Sequence, residues 1–171
     1  MKYLFLISLI ITQIFASFDS ITSFKANFIQ SVTDEKNKVL TYSGHLLTSK
    51  PQNALWSYTE PVKKDIYVNS HQVTIVEPEI EQVIVRKIES SLDFFSMIKN
   101  AKQINNNTYE AKYKETKFTI NTKENIIESI NYVDEFDNKV KILFSNQKQN
   151  EKIDLEEFRP KFPLEFDVIR D

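Results

Sequence analysis

The side chains best suited to acid–base or metal chemistry in this chain are His45, His71 and the run Glu77, Glu79 and Glu81. His45 falls in a strand pattern and His71 in a turn, neither with an acidic partner at the spacing of a triad or a metal pair. The three glutamates straddle Pro78, where a solvated turn is the ordinary outcome, and the glycine-containing calcium loop is missing. With no cysteine there is no thiol nucleophile, no disulfide, no cysteine-ligated zinc and no cysteine to carry a lipid anchor. One glycine is too few for a phosphate-cradling loop. The chain is therefore read as a non-enzyme without cofactor or metal.

Lys50 is the more pointed residue. It stands before Pro51 at the bend between two strand patterns, where it is either a solvated turn lysine or a charge that meets carbonyls or a headgroup at the rim of an apolar face. The apolar set comprises Phe24, Phe28, Tyr42, Trp56, Tyr58, Phe94, Phe95, Phe118 and Phe144, with Leu46, Leu92 and Ile98 beside them. Periodicity supports packed core and cavity wall equally for these residues.

The elements that must position them are mostly strands. From Tyr42 to Pro61 the pattern is a hairpin: Leu40, Tyr42, Gly44 and Leu46 share one face of its first arm, and Ala54, Trp56 and Tyr58 share one face of its second. Before it, Phe24 to Val32 alternates as a strand, and Ser17 to Thr22 is at most a short helix. After it come Asp65 to Val68, Gln72 to Glu77 and Ile80 to Ile88, separated by polar turns. Ser90 to Ala101 is the one helical pattern, with Leu92, Phe95 and Ile98 in an apolar line broadened by Phe94 and Met97. Strands resume over Thr108 to Lys114, Lys117 to Asn121, Ile126 to Val133 and Lys139 to Gln147. The segment Phe158 to Pro163 is extended by its two prolines, and Phe166 to Ile169 offers a short final strand. The expected shape is one large, strongly curled antiparallel sheet whose apolar face is covered by the inserted helix.

The chain has 171 residues and a formal net charge of −2, with acids and bases interleaved. That fits one domain able to bury a substantial core, and it gives no electrostatic footprint for nucleic acid. Residues 1–16 have the make-up of a signal peptide: Lys2, an apolar run from Tyr3 to Ile11 too short to span a bilayer comfortably, and Ile14-Phe15-Ala16 as an imperfect cleavage site. The mature domain is then 17–171, in the bacterial periplasm or on the extracellular side.

The block Phe24-Lys-Ala-Asn-Phe-Ile-Gln30-Ser-Val-Thr-Asp34 resembles the opening motif of the outer-membrane lipoprotein carrier family, LolA. Gly44 to Leu47, Lys50-Pro51 and Trp56 resemble its next block, Ile66 to Gln72 and Glu81-Gln82-Val83 continue it, and Phe158-Arg159-Pro160 resembles its C-terminal segment. The resemblance implies an α+β, mainly antiparallel fold, an unclosed half β-barrel with a helical lid over an apolar cavity. It implies a monomeric periplasmic chaperone that takes acylated lipoproteins from an inner-membrane ABC release complex to an outer-membrane receptor, with acyl chains against the apolar set named above. It also implies that Lys50 stands where the family has an arginine that holds the lid through main-chain carbonyls. Lysine keeps that charge and loses the planar fork. A periplasmic lipid-binding or sensor domain of the same architecture is the alternative reading.

Overall fold

Alternation of apolar and polar side chains makes the first long hairpin. In the computed structural model, which describes residues 18–87 and 94–170, a 3-10 turn at Phe18–Ser20 leads into β1 (Ser23–Thr33), which pairs with β2 (Val39–Ser49). Phe24, Ala26 and Phe28 are buried while Lys25 and Ile29 between and beyond them are exposed. The turn is closed by Asp34, whose Oδ1 accepts from the backbone N–H of Lys36 and of Lys38, with Asn37 at φ 60°. Asparagine tolerates that left-handed geometry at little cost.

After the Lys50-Pro51 turn come β3 (Asn53–Glu60), β4 (Lys64–Val68), β5 (Gln72–Glu77) and β6 (Gln82–Lys87). One α-helix follows, α1 (Phe94–Lys99), and then β7 (Lys102–Asn105), β8 (Thr108–Tyr113), β9 (Thr116–Lys123), β10 (Ile126–Val133) and β11 (Lys139–Gln149). A 3-10 turn at Leu155–Phe158 and β12 (Asp167–Arg170) close the described chain.

All twelve strands form a single sheet in the order β12-β6-β5-β4-β3-β2-β1-β11-β10-β9-β8-β7. It is unclosed, with β12 and β7 at its edges. Every pairing is antiparallel except that of β12 with β6. A period of two gives each strand an inner and an outer set. Residues paired directly across strands share a face, so Leu46, Trp56, Ile66, Ile75 and Ile84 form one inner row. Leu47, Leu55 and Tyr67 stand on the outer face.

Each face has its own apolar cluster. The inner one gathers Phe24, Phe28 and Leu46 with Phe118, Ile120, Ile130 and Phe144, roofed by Phe94, Phe95, Met97 and Ile98 of α1. The outer one holds Leu55, Tyr67, Val76 and Val83 under Phe158, with Phe162, Phe166 and Val168 packed against it. The C-terminal segment is thus the cover of the outer face over β3 to β6.

Several expectations change. Among the described residues the helix covers Phe94–Lys99 and stops short of Ala101, which instead donates its N–H to the Ile98 carbonyl at 3.2 Å. Ser90, Leu92 and Asp93 lie outside the described residues, so the cap and the role given to Leu92 are not described. The expected helical lid is not shown: the described residues contain this one short α-helix. Strand β7 carries no periodic apolar signal, because all of its residues are exposed and backbone pairing to β8 holds it. The final strand runs parallel to β6 rather than extending the meander.

Candidate functional site

Gly44 lets the inner face be built. It sits opposite Tyr58 where β2 and β3 shift register, and opposite Phe28 of β1. A β-carbon there would overlap the Ser57 carbonyl oxygen and lie 2.9 Å from Phe28 Cζ. Freed of that β-carbon, the Phe28 ring lies edge-on to Trp56 at 5.2 Å and to Tyr58 at 5.1 Å between centroids. Tyr42 meets Tyr58 edge-on at 5.8 Å. The Tyr58 hydroxyl donates to Gln30 Oε1 at 2.8 Å, and burial, then the neighbouring phenols of Tyr132 and Tyr42, push its pKa up to about 12.

Beneath α1, Phe24 stacks on Phe94 at 5.5 Å and meets Phe144 edge-on at 5.3 Å, while Phe95 stands edge-on to Phe94 at 5.5 Å. A cavity of about 170 Å³ opens between the two wings of the sheet. One wall is Ala54, Trp56 and Val68, the other Phe118, Ile130, Tyr132 and Ile142, and Phe94 and Met97 of α1 form the roof. Tyr132 brings the one hydroxyl on that surface, and its pKa is raised, first by burial and then by Asp134.

Of the twelve residues singled out for the apolar face, Trp56, Phe94 and Phe118 reach the cavity surface. Phe24, Phe28, Leu46, Phe95, Ile98 and Phe144 are buried in the packing that surrounds it, and Tyr58 packs on that cluster. Tyr42 joins at its margin through Tyr58, and Leu92 is outside the described residues. The residues missed are Ala54, Val68, Met97, Ile130, Tyr132 and Ile142. Alternation carries part of the signal for them, since each strand residue lies on the inner face. Which inner positions border a void depends on how the two wings approach, and that is a long-range property.

Lys50 lies at the rim. Its backbone N–H donates to the Thr22 carbonyl at 2.9 Å, and its Nζ stands 5.8 Å from the centroid of the Phe95 ring, over its face. A cation so placed is attracted to the ring quadrupole. The turn that carries Lys50 is therefore tied to the roof helix.

The polar candidates do not converge. His45 Nδ1 is hydrogen-bonded to Asn27 Oδ1 at 2.8 Å on the outer face, and His71 pairs with the hydroxyl of its neighbour Ser70 in an exposed turn. Among the described residues no group of three or more His, Asp or Glu side chains is arranged to hold a metal. What the arrangement can do is remove hydrocarbon from water.

A family model described as "Outer membrane lipoprotein carrier protein LolA" matches residues 19–99. The outer-membrane lipoprotein carrier protein of Campylobacter jejuni subsp. jejuni is 42% identical over 171 residues, covering 99% of this chain and 100% of that one. The protein of the same description from Wolinella succinogenes is 33% identical over 156 residues, covering 91% of each chain. Among solved structures, an uncharacterized conserved protein from Thermus thermophilus shares the fold alone, with a TM-score of 0.54 at 8% identity over 90% of this chain and 93% of that one. With its inner-face residues, its hairpin and its C-terminal segment all inside the span of such full-length identity, the chain belongs to the outer-membrane lipoprotein carrier family, LolA.

Proposed function

We propose that this chain is a periplasmic carrier of acylated lipoproteins. In this reading residues 1–16 direct export and 17–171 form the one carrier domain. Cargo is received from an inner-membrane ABC release complex and passed to an outer-membrane receptor. No covalent step is involved. Acyl chains lie on the inner face between the sheet and α1, with Lys50 as the gate and α1 as the lid. Membership of the family supports the role, and no helix among the described residues is long and apolar enough to cross a membrane.

The observation that carries the reading is the apolar cavity under a short roof. Its volume of about 170 Å³ is below the roughly 300–1,000 Å³ of ordinary small-molecule pockets, so an acyl tail enters only if the roof moves outward. The roof suits that motion. Its described helical part, Phe94–Lys99, holds its place through the packing of Phe94, Phe95, Met97 and Ile98. Full burial of each such side chain is worth about 1.5–3 kcal/mol. A tail of about 16 carbons gains about 13 kcal/mol at roughly 0.8 kcal/mol per methylene. Exchange of the four roof side chains for a single tail is therefore near balance, and the further tails of a triacylated cargo need additional apolar surface. The inner row Ile66, Ile75 and Ile84, half-buried beyond Trp56, supplies apolar floor into which the space can extend.

Native mass spectrometry of the protein purified from periplasm tests the reading. A bound triacylated protein is the expected result. A free lipid in its place would favour a lipid-binding or sensor domain, and an empty protein that also fails to solubilise added lipoprotein would defeat both.

A further inference from the structure

We infer that Thr48 and Gln149, which flank the Phe24 on which α1 stacks, form a pair of hydrogen-bond donors that receive the carbonyl oxygens joining acyl chains to the carried molecule; this rests on the carrier reading above. Among the described residues, Thr48 Oγ1 and Gln149 Nε2 are the buried side-chain polar atoms without a hydrogen-bond partner. Both flank the same residue. Phe24 of β1 pairs with Thr48 on β2 to one side and with Gln149 on β11 to the other, so all three share the inner face. Phe24 is fully buried and stacked on Phe94 of α1, and Thr48 is likewise fully buried. Ala54, directly across from Thr48 on β3, lines the cavity, so the hydroxyl adjoins the cavity wall.

The strands that carry the two donors lie two spacings apart, about 10 Å, and neither donor bonds the other. A buried polar group left unpaired costs folding free energy, and valine would fill the position of Thr48 at nearly the same volume without that cost. The cost is recovered when an occupant supplies an acceptor. A neutral carbonyl suits this place better than a charged headgroup, because Phe24, Ala54 and the phenylalanines of α1 offer nothing to compensate a desolvated charge, and the nearby cation, Lys50, stands at the rim over the Phe95 ring. Movement of Phe94 away from Phe24 would admit an acyl tail and uncover both donors in the same motion. Ester or amide linkages of an acylated molecule then bond where the tails turn into the apolar space.

The test compares the wild-type chain with Thr48→Val, using a synthetic diacyl lipopeptide with ester-linked chains and its ether-linked analogue. Wild type is expected to favour the ester by about fivefold to tenfold, the weight of one or two neutral hydrogen bonds. In Thr48→Val that preference should fall toward equality while the melting temperature rises. Thr48→Ser should keep the preference, and Gln149→Met repeats the loss at a half-buried position that tolerates change. Equal wild-type affinity for the two linkages, or full preference retained in Thr48→Val and Gln149→Met, overturns the inference and leaves the carrier reading standing. Failure of wild type to bind either lipopeptide overturns both.

Discussion

A β-carbon at position 44 would meet backbone on one side and the Phe28 ring on the other, and the Ser57 carbonyl cannot withdraw without breaking the β2–β3 ladder. Gly44→Ala is therefore expected to destabilise the fold by about 2–4 kcal/mol, measured by denaturant unfolding, although alanine suits strands no worse than glycine. Tyr58 makes a second prediction at this scale. Its folded pKa of about 12 lies above the ordinary 10.0, so the folded state holds the phenol neutral where the unfolded chain would ionise it. The stabilisation is fully present below pH 10 and is lost as pH rises from 10 to about 12, amounting to about 3 kcal/mol at most. Tyr58→Phe should flatten that part of the alkaline unfolding curve; an unchanged curve would mean that Tyr58 ionises in the folded state as easily as in the unfolded one. Alternation alone places Gly44, Trp56 and Tyr58 on one face. It does not show that Phe28 presses against Gly44, because that contact is set by the register of β1 on β2 across the intervening turn.

Among the elements, the strands with one buried face were readable because burial repeats every second residue, as in Phe24, Ala26 and Phe28 or Val140, Ile142 and Phe144. β7 was not, since an edge strand with no buried side chain leaves no periodic trace. The apolar line predicts the helix at Phe94 to Ile98, and its C-terminal end falls short of Ala101 because the chain turns at once into β7. Lys50 was recognised as a cation at a rim, while its position over the Phe95 ring depends on α1 crossing to that rim. In the proposed reading this contact belongs to a closed arrangement. Removing it raises the closed form relative to a loaded, open one, so Lys50→Leu is expected to slow release of cargo. A cation–π contact at an exposed site is worth about 0.5–1 kcal/mol, so the slowing should be about twofold to fivefold, with uptake changed less. Transfer of labelled lipoprotein to an acceptor membrane at the wild-type rate would show that Lys50 has no part in gating.

At the scale of the whole molecule, one sheet serves two apolar clusters that do not share residues, and in the proposed reading only the inner one also meets cargo. On the outer face Phe158 closes Leu55, Tyr67, Val76 and Val83, and it has no contact with the cavity surface. Phe158→Ala should cost about 3 kcal/mol or more of stability, since it opens a void beneath the C-terminal segment. Under conditions where the variant is folded, its affinity for an acylated lipopeptide should match wild type. Trp56 is the opposite case: half-buried on the cavity wall, it tolerates a polar replacement with less loss of stability, but a carboxylate there would have to be desolvated against hydrocarbon. Trp56→Glu is expected to abolish lipopeptide binding in a protein that still unfolds cooperatively. Parallel measurement of unfolding and binding in both variants decides the matter. If Phe158→Ala weakens binding in its folded state as much as Trp56→Glu does, the two faces are energetically one unit, and cargo is held by the curvature of the sheet rather than by the wall of a separate cavity.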